Sequence, residues 1–392
     1  MGTRRDFLKN SALVTAGTTL IPNFLKAFER NRFGAAPVTN KILVVVQLSG
    51  GNDGLNTVVP YRNDIYYRER PGLAIPRAKV LPLNDEIGFN PALAPLREIF
   101  DEGLMTILHN VGYPNPDRSH FRSMDIWHTG SDSGHYRNTG WLGRYLDANC
   151  PVDCRKPHDA IEVDDTLSLA MKGEKTKGLA LLNPEKLRRQ IRSGYLAQVS
   201  AGRPSAGGPS EAPENVDYLY QTLAETLSSA DYLYDQSKVY QTKTTYPANE
   251  LGNRLRTVAE LILSGVNTNV YYVSMAGFDT HVNQLPQQAH LLGVYAAAMG
   301  AFTRDLKENR RLDDVMIMTF SEFGRRVKQN ASNGTDHGTA NNLFLINGRL
   351  KGGRVFNEVP NLADLDEGDL KYTVDFRRVY ATLLRRWLQA DD

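Results

Sequence analysis

The stretch that decides the fold is ILVVVQL at positions 42–48, a nearly unbroken run of apolar and mostly β-branched residues. The segment SGGNDG follows it directly at positions 49–54. Such a run predicts a strand that is buried on both faces, which is typical of a parallel sheet covered by helices. The glycines allow a sharp turn at the strand end and leave the carboxylate of Asp53 there, although an ordinary Asp-Gly turn is the alternative interpretation.

Further apolar strands and amphipathic helices alternate along the rest of the chain. Strands are predicted at 105–108, 270–275, 315–320 and 342–346, and helices at 91–102, 121–127, 251–264, 287–309 and 374–388. This alternation predicts an α/β fold in which helices sandwich a largely parallel sheet. Residues 37–392 are interpreted as one domain, in which the segment at about 150–246 forms a helical insertion or cap.

The charge balance and the cysteine count exclude several classes of protein. The chain has 392 residues, with 46 Lys and Arg against 44 Asp and Glu, so its formal net charge is only +2. Proteins that bind nucleic acid by neutralising phosphates usually have a larger basic excess, and no nucleic-acid partner is expected. The two cysteines, Cys150 and Cys154, cannot form a disulfide scaffold, and a local disulfide or two separate thiols are both open.

Residues 1–36 are interpreted as a signal and leader. The segment RRDFLK at positions 4–9 precedes a moderately apolar stretch at 11–21, and this order resembles a twin-arginine export signal. An amphipathic N-terminal helix is the alternative. The apolar stretch is too short and too polar for a stable membrane span, which needs about 20 apolar residues. The twin-arginine translocase is thus an expected partner, and the mature protein is expected to be periplasmic or secreted.

Candidate catalytic residues follow the predicted strand at 105–108. Ser119 lies where the next helix is predicted to begin, so a nucleophilic hydroxyl there would gain from the positive end of the helix dipole. A simple helix-capping serine is the alternative interpretation. Arg118 and Arg122 flank this serine and are candidates to bind an oxyanion, with ordinary surface arginines as the alternative. His120 follows directly and completes the candidate catalytic group.

Candidate metal ligands follow the later strands. Asp279 and His281 come after the strand at 270–275, and a carboxylate beside an imidazole suits Zn²⁺ or another divalent metal. A hydrogen-bonded structural histidine is the alternative for His281. Glu322 follows the strand at 315–320, and Asp336 and His337 precede the strand at 342–346. An acidic or imidazole group near each of several strand ends is harder to attribute to chance than any one motif.

This ordered set of motifs resembles the alkaline phosphatase and sulfatase superfamily and, within it, the twin-arginine-exported group called domain of unknown function 1501. The motifs that carry the resemblance are GGNDG at 50–54, RSHF at 118–121, DTH at 279–281, SEFG at 321–324 and DHG at 336–338. The resemblance implies an alkaline-phosphatase-like fold, Ser119 as the nucleophile and a bound divalent metal. Zn²⁺ is the first expectation, and Mg²⁺ or Ca²⁺ at the carboxylates is the alternative.

The resemblance allows two assignments of the metal ligands. One places the superfamily's Asp-His-Gly motif at Asp336 and His337. The other keeps the strand order and puts Glu322 in the place of the superfamily's aspartate and Phe323 in the place of its histidine, because no histidine follows His337. The second assignment, which we prefer, implies one site from Asp279, His281 and His337 and another from Asp53, Ser119 and Glu322 that lacks one histidine.

Two functions follow as expectations. The first is an exported, metal-dependent hydrolase of phosphate or sulfate esters that acts on a small anionic ester or an envelope component. The alternative is a non-catalytic protein on the same fold that binds an envelope component or a glycan and keeps a degenerate metal site. A nucleotide-dependent enzyme is disfavoured because the loop at 50–54 lacks both a Gly-x-Gly-x-x-Gly pattern and a Walker lysine.

Overall fold

A computed structural model describes residues 41–149, 157–192, 214–350 and 354–390, and within these it does not describe the side chains of residues 214–224. The expected signal at 1–36 and both cysteines lie outside the described residues, so the export signal and the disulfide stay predictions from the sequence. Among the helices that are described, none combines the length and the apolar composition that crossing a membrane requires.

Strand β1 (Ile42–Leu48) lies inside the main sheet, and all seven of its residues are buried. Its neighbours β8 (Val270–Met275) and β9 (Val315–Phe320) run parallel to it on either side. Side chains alternate between the two faces of a strand. Val44 and Val46 therefore pack into one apolar core, and Leu43 and Val45 pack into a second core on the opposite face. The prediction of a doubly covered strand is confirmed.

The remaining strands complete a nine-stranded main sheet and two small sheets. In chain order they are β2 (Val58–Val59), β3 (Leu81–Pro82), β4 (Gly88–Phe89), β5 (Met105–Gly112), β6 (Ala160–Glu162), β7 (Leu179–Ala180), β10 (Asn341–Ile346), β11 (Arg354–Val355), β12 (Leu365–Asp366), β13 (Asp369–Leu370) and β14 (Val374–Asp375). The main sheet runs β7-β6-β8-β1-β9-β10-β5, and both β11 and β14 pair with β5. Among the described strands of the main sheet, only β10 runs opposite to the others, so the predicted, largely parallel sheet is confirmed.

Helices cover both faces of the main sheet. In chain order they are α1 (Gly54–Thr57), α2 (Asp64–Glu69), α3 (Ala94–Asp101), α4 (His120–Thr129), α5 (Trp141–Asn149), α6 (Pro184–Arg192), α7 (Glu214–Ser237), α8 (Glu250–Leu263), α9 (Gln284–Glu308) and α10 (Phe376–Thr382). Helices α3, α8 and α9 pack on the face that holds Val44, and α4, α5 and α10 pack on the face that holds Leu43. This is the predicted sandwich of a sheet between two helical layers.

Two segments differ from the sequence-based expectation. The expected insertion contains helices α6 and α7, but it also supplies β6 and β7, which extend the main sheet beyond β8. These strands are too short for a period-2 pattern to be recognised.

The expected C-terminal helix at 374–388 starts as strand β14, because Val374 and Asp375 pair with the end of β5. Asp375 then caps α10, which continues as a π-helical turn at Leu383–Trp387.

Candidate metal centre

Three histidines and one aspartate converge beyond the carboxyl ends of β8 and β9. The Oδ1 atom of Asp279 lies 3.3 Å from Nε2 of His120, 3.0 Å from Nε2 of His281 and 3.2 Å from Nε2 of His337. The Nε2 atoms of His281 and His337 are themselves 2.9 Å apart. The ligand atoms of His120, Asp279 and His337 all lie within 4.8 Å of one another, and His281 lies beside this group, against Asp279 and His337. Two imidazole nitrogens and one carboxylate oxygen are donors that Zn²⁺ binds in sites with an open fourth position.

The opposite ring nitrogen of each histidine faces an oxygen atom. Nδ1 of His120 donates to Oε1 of Glu322 at 3.0 Å, and Nδ1 of His337 donates to the carbonyl oxygen of Arg118 at 2.7 Å. Nδ1 of His281 lies 3.6 Å from Oδ1 of Asp336. At His120 and His337 the hydrogen bond at Nδ1 fixes the tautomer that leaves the Nε2 lone pair free, as histidine ligands of metals require.

The side chain of His120 supplies a further test of whether a metal fits here. Its Nε2 atom is buried and has no hydrogen-bond partner among the described residues, although it points at the carboxylate of Asp279. A buried polar atom without a partner costs free energy, and a bound cation would satisfy this one. The residues present therefore fit a single divalent metal.

Arg325 fixes the position of Asp279. Its side chain is completely buried, and its Nη2 atom donates to Oδ1 of Asp279 at 2.8 Å and to the carbonyl oxygen of Gly50 at 2.5 Å. Its Nε atom donates to the carbonyl oxygen of Gly51 at 2.6 Å. Burial raises the pKa of Asp279, but the hydrogen bonds from Arg325 and His337 outweigh this and hold it well below its usual range. Asp279 is therefore a carboxylate at neutral pH.

Glu322 orients a histidine in this structure and does not itself join the cluster. Its Oε1 atom accepts hydrogen bonds from Nδ1 of His120 and, at 2.8 Å, from the backbone N–H of Gly50. The sequence predicted a metal ligand at this position and a catalytic role for His120. The structure instead turns Nε2 of His120 towards the other two histidines, with Glu322 behind it. Asp336 stands behind His281 in the same way, and its side chain is largely exposed.

Asp53 does not reach the cluster, in contrast to the expected second site. Its carboxylate is completely buried and pairs with Nη1 of Arg70 at 2.5 Å. Its Oδ1 atom accepts from the backbone N–H of Leu55 at 3.1 Å, which caps helix α1, and its Oδ2 atom accepts from Gln284. All of these partners belong to the protein, so this carboxylate has a structural role.

The sequence predicted Ser119, Arg122 and Arg118 as catalytic residues, and the structure places each of them in a different environment. Ser119 is exposed at the N-terminus of α4, and its side chain makes no capping bond there. Arg122 is buried and donates to the carbonyl oxygens of Ser133 and His135 at 2.6 and 2.9 Å, so it holds a loop and is not free to bind an oxyanion. Arg118 keeps 38% of its side chain exposed while it pairs with the buried carboxylate of Asp369.

Two arginines of this region were not predicted from the sequence as parts of the site. Arg325 and Arg326 follow the SEFG segment directly, but no spacing rule separates a buried anchoring arginine from a surface one. Arg326 lies 3.6 Å from Asp369, the carboxylate that also holds Arg118. Phe323, which the preferred assignment puts in the place of a superfamily histidine, has its ring centroid 4.8 Å from that of His120 and 4.7 Å from that of His337. It forms an apolar wall beside the cluster.

The fold and the cluster together define an α/β protein with a three-histidine, one-aspartate centre at the carboxyl edge of its sheet. The sequence profile of the family described as "Protein of unknown function (DUF1501)" matches residues 105–388. The chain belongs to this family, as the motifs at 118–121, 279–281, 321–324 and 336–338 implied. No curated protein sequence matches the chain.

Several solved structures are weakly similar to the whole chain. One is a protein in the alkaline phosphatase superfamily from Vibrio parahaemolyticus, with 8% identity, a TM-score of 0.41, and coverage of 94% of this chain and 74% of that one. Another is the C-terminal periplasmic domain of EcEptC from Escherichia coli in complex with Zn, with 10% identity, a TM-score of 0.39, and coverage of 88% and 82%. A third is the lipoteichoic acid synthase LtaP from Listeria monocytogenes, with 8% identity, a TM-score of 0.34, and coverage of 83% and 71%. Similarity at this level says nothing about the chemistry of the present centre.

Proposed function

We propose that this protein is an exported, metal-dependent hydrolase of phosphate or sulfate esters with a single Zn²⁺ centre. The observation that carries the proposal is the orientation of His120, His281 and His337, whose Nε2 atoms all face Oδ1 of Asp279. A metal held by His120, Asp279 and His337, with His281 beside them, would polarise an ester oxygen and stabilise the negative charge that develops on it.

Ser119 is the candidate nucleophile of this reaction. Ser119 is adjacent to His120 and presents its hydroxyl at the N-terminus of α4, where backbone N–H groups and the helix dipole favour an anionic group. In this proposal its Oγ atom bonds to the phosphorus or sulfur atom while the bond to the alcohol breaks. The hydroxyl proton passes through solvent to the departing alkoxide, and water later releases the acid from the serine.

Arg118 is the candidate group for binding the anionic end of the substrate. The guanidinium groups of Arg118 and Arg326 both lie against the single buried carboxylate of Asp369. Arg118 also lies 3.7 Å from the exposed carboxylate of Glu367. Its guanidinium group stays partly exposed, and guanidinium groups bind phosphate and sulfate oxygens well. Arg122 takes no part, since the carbonyl groups of its loop already occupy its guanidinium group.

The proposal is tested by metal content and turnover in the same protein. We expect the purified chain to hold about one Zn²⁺ and to hydrolyse p-nitrophenyl phosphate or p-nitrophenyl sulfate. His337→Ala should lose the metal and lower turnover by roughly 100-fold or more, because it removes one of the three ligands whose atoms lie together. Ser119→Ala should keep the metal and lose turnover by roughly 100-fold or more.

A matched control separates the loss of a ligand from the loss of any histidine. His290 is exposed on α9, and the described residues give it no hydrogen bond or ion pair, so His290→Ala should leave both metal content and turnover unchanged. A wild-type chain that takes up no Zn²⁺, or a His337→Ala variant that retains full turnover, would contradict the proposal.

A second candidate function is a binding protein with a degenerate centre. Asp53 favours it, because the carboxylate that the resemblance assigned to a second metal is buried against Arg70. This protein would bind an envelope component or a glycan without turning it over. Ser119→Ala then separates the two functions, since a binder should keep its affinity and an enzyme should lose its turnover.

Gly50, in the loop after β1, packs closely against Asp279 in the loop after β8. Gly50 has a φ of +115°, and a Cβ atom there would lie 2.5 Å from the backbone nitrogen of Asp279. Gly50→Ala should therefore displace Asp279 from the histidines and weaken Zn²⁺ binding by at least tenfold, measured by competition with a chromophoric chelator.

Gly265→Ala is the matched control, because Gly265 also has a positive φ of +76° but has no atom within 4 Å of the added Cβ. That variant should lose about 1–2 kcal/mol of stability and keep its metal affinity; equal affinity in both variants would contradict the expectation.

A further inference from the structure

A cavity of about 530 Å³ lies beside strand β5, outside the metal centre. Its walls come from Asn110 on β5 and from the segment 357–374, which connects β11 to β14. Both of these strands pair with β5, so the connecting segment leaves the edge of the sheet and returns to it. The volume is within the range of about 300–1,000 Å³ that is usual for sites that bind small molecules.

Asn110 contributes the part of the wall that belongs to the sheet. Its φ of +54° is uncommon inside a strand, and the pairing of β5 with β10 shifts its register between Leu108 and Val111. Such irregularities redirect a side chain and are frequent beside functional sites. The Nδ2 atom of Asn110 donates to the carbonyl oxygen of Glu358 at 3.3 Å, but its buried Oδ1 atom has no hydrogen-bond partner among the described residues. A hydroxyl group of a ligand would supply the missing donor.

Other polar groups of the cavity keep both donors and acceptors available. Asn361 uses its Oδ1 atom to accept from the backbone N–H of Ala363, and its Nδ2 atom has no partner among the residues that the structure describes. The hydroxyl of Thr373 accepts from Nδ2 of Asn357 at 3.3 Å and can still donate its own proton. Sugar hydroxyl groups donate and accept at once, so they suit such a mixed set of partners.

Tyr372 adds an aromatic ring to the same cavity. Its side chain is 39% exposed, and the described part of the chain gives its hydroxyl no hydrogen bond. A Cβ atom on Gly112 would lie 2.9 Å from Cβ of Tyr372, so the base of this side chain packs closely against the end of β5. The C–H groups on one face of a sugar ring are apolar, and an aromatic ring in a fixed position can stack on them.

The charges of the cavity disfavour an anionic ligand. Lys371 and Asp364 form an ion pair with each other. Glu358 is exposed, and no cation among the described residues pairs with its carboxylate. With two carboxylates against one ammonium group, the lining is net negative and would repel phosphate or sulfate. The cavity therefore differs in chemistry from the metal centre.

We propose that this cavity binds a neutral sugar, with the sugar ring stacked on Tyr372 and its hydroxyl groups hydrogen-bonded to Asn110 and Asn361. The site goes beyond the proposed hydrolase, because no residue of the metal centre lines the cavity. The two regions adjoin along β13, where Leu370 lines the cavity and its neighbour Asp369 pairs with Arg118. Binding of the sugar therefore requires no metal.

The test applies the full chain to an array of neutral oligosaccharides and then measures the Kd of the tightest one by calorimetry. We expect at least one oligosaccharide to bind. Tyr372→Ala should weaken this binding by at least fivefold, because it removes the ring, whereas Tyr372→Phe should stay within about twofold of the wild type. Asn361→Ala should weaken it by at least threefold, and circular dichroism verifies that the variants fold.

Tyr136→Ala is the matched control. Tyr136 is 79% exposed, so its ring is even more open to a ligand than that of Tyr372, but it does not line the cavity. The affinity for the oligosaccharide should be unchanged in this variant. An equal loss in Tyr136→Ala and Tyr372→Ala would show nonspecific stacking on exposed aromatic rings and would overturn the inference.

The remaining outcomes separate the sugar site from other ligands and from the metal centre. Failure to bind any neutral oligosaccharide of the array would overturn the inference. Spermidine that binds more tightly than every sugar, and in a manner that depends on Tyr372, would assign the cavity to cations and would also overturn it. Sugar binding should persist after a chelator removes the metal; its loss there would place the sugar at the metal centre and contradict a separate site.

Discussion

Arg70→Met is expected to lower the free energy of unfolding by about 3–5 kcal/mol, as removal of one partner from a buried ion pair usually does. The side chains of Arg70 and Asp53 are both completely buried, with 2.5 Å between Nη1 and Oδ2. Nε of Arg70 also donates to the carbonyl oxygen of Val327 at 2.8 Å, and Nη2 donates to that of Arg326. Methionine removes the donor to these two carbonyl groups and leaves the buried carboxylate of Asp53 without an opposite charge, with only the hydrogen bonds from the Leu55 N–H and Gln284. Urea denaturation at pH 7.5 measures the difference.

A double variant tests whether the uncompensated carboxylate causes the loss. Arg70→Met combined with Asp53→Asn removes the charge as well as its partner, so it should be more stable than Arg70→Met alone. Arg97→Met is the control, because Arg97 forms an i,i+4 pair with Asp101 on the surface, and we expect it to cost less than about 1 kcal/mol. A loss of similar size in Arg97→Met would show that the effect does not come from burial.

The same variants decide the role of Asp53 at the metal centre. Asp53→Asn should keep a full complement of Zn²⁺, because its carboxylate contacts Arg70, Gln284 and helix α1 but none of the three histidines. A loss of metal in Asp53→Asn, with the fold intact, would instead support the second metal site that the family resemblance implied.

Acidification from pH 7.5 to pH 4.5 is expected to destabilise the protein through two buried histidines. Burial lowers the pKa of His109 and of His128 from 6.5 to about 4. In the unfolded chain each imidazole takes up a proton near pH 6.5, whereas in the folded chain it stays neutral until about pH 4. Their contribution to stability is therefore complete above pH 6.5 and is lost as the pH falls towards 4. Each pKa unit corresponds to about 1.4 kcal/mol, so each histidine should cost about 2–3 kcal/mol by pH 4.5.

A comparison of variants isolates this effect from the other titrating groups. The free energy of unfolding is measured against pH for the wild type and for His128→Gln. Nε2 of His128 lies 3.1 Å from Oε1 of Gln47, and glutamine keeps a polar group at this position. The difference in the free energy of unfolding between the wild type and His128→Gln should narrow by about 2–3 kcal/mol between pH 7.5 and pH 4.5. The titrating groups that both proteins share contribute equally and cancel in this difference. His290→Gln replaces an exposed histidine and should run parallel to the wild type; a constant difference for His128→Gln would contradict the expectation.

The strands that build the sheet could be predicted from the sequence because each is an unbroken apolar run. Strands β1, β8 and β9 are at the predicted positions 42–48, 270–275 and 315–320. A strand with helices on both faces needs apolar residues on both sides, so its burial can be predicted from its own composition. Strands β6 and β7 have three and two residues, and only their pairing beside β8 defines them.

The sequence also placed the chemical groups at the correct edge of the sheet, since Asp279, His281, Glu322 and His337 all follow strands or precede β10. Their individual roles were decided only by the tertiary structure. Glu322 and His120 are 202 positions apart, and Nδ1 of His120 lies 3.0 Å from Oε1 of Glu322. Because of this contact, Glu322 orients the imidazole ring, and His120 presents Nε2 as a candidate metal ligand. Asp53 became structural because the fold buries Arg70 beside it. Local composition fixes which residues form strands, whereas the role of a side chain depends on charges and hydrogen-bond partners that only folding brings within reach.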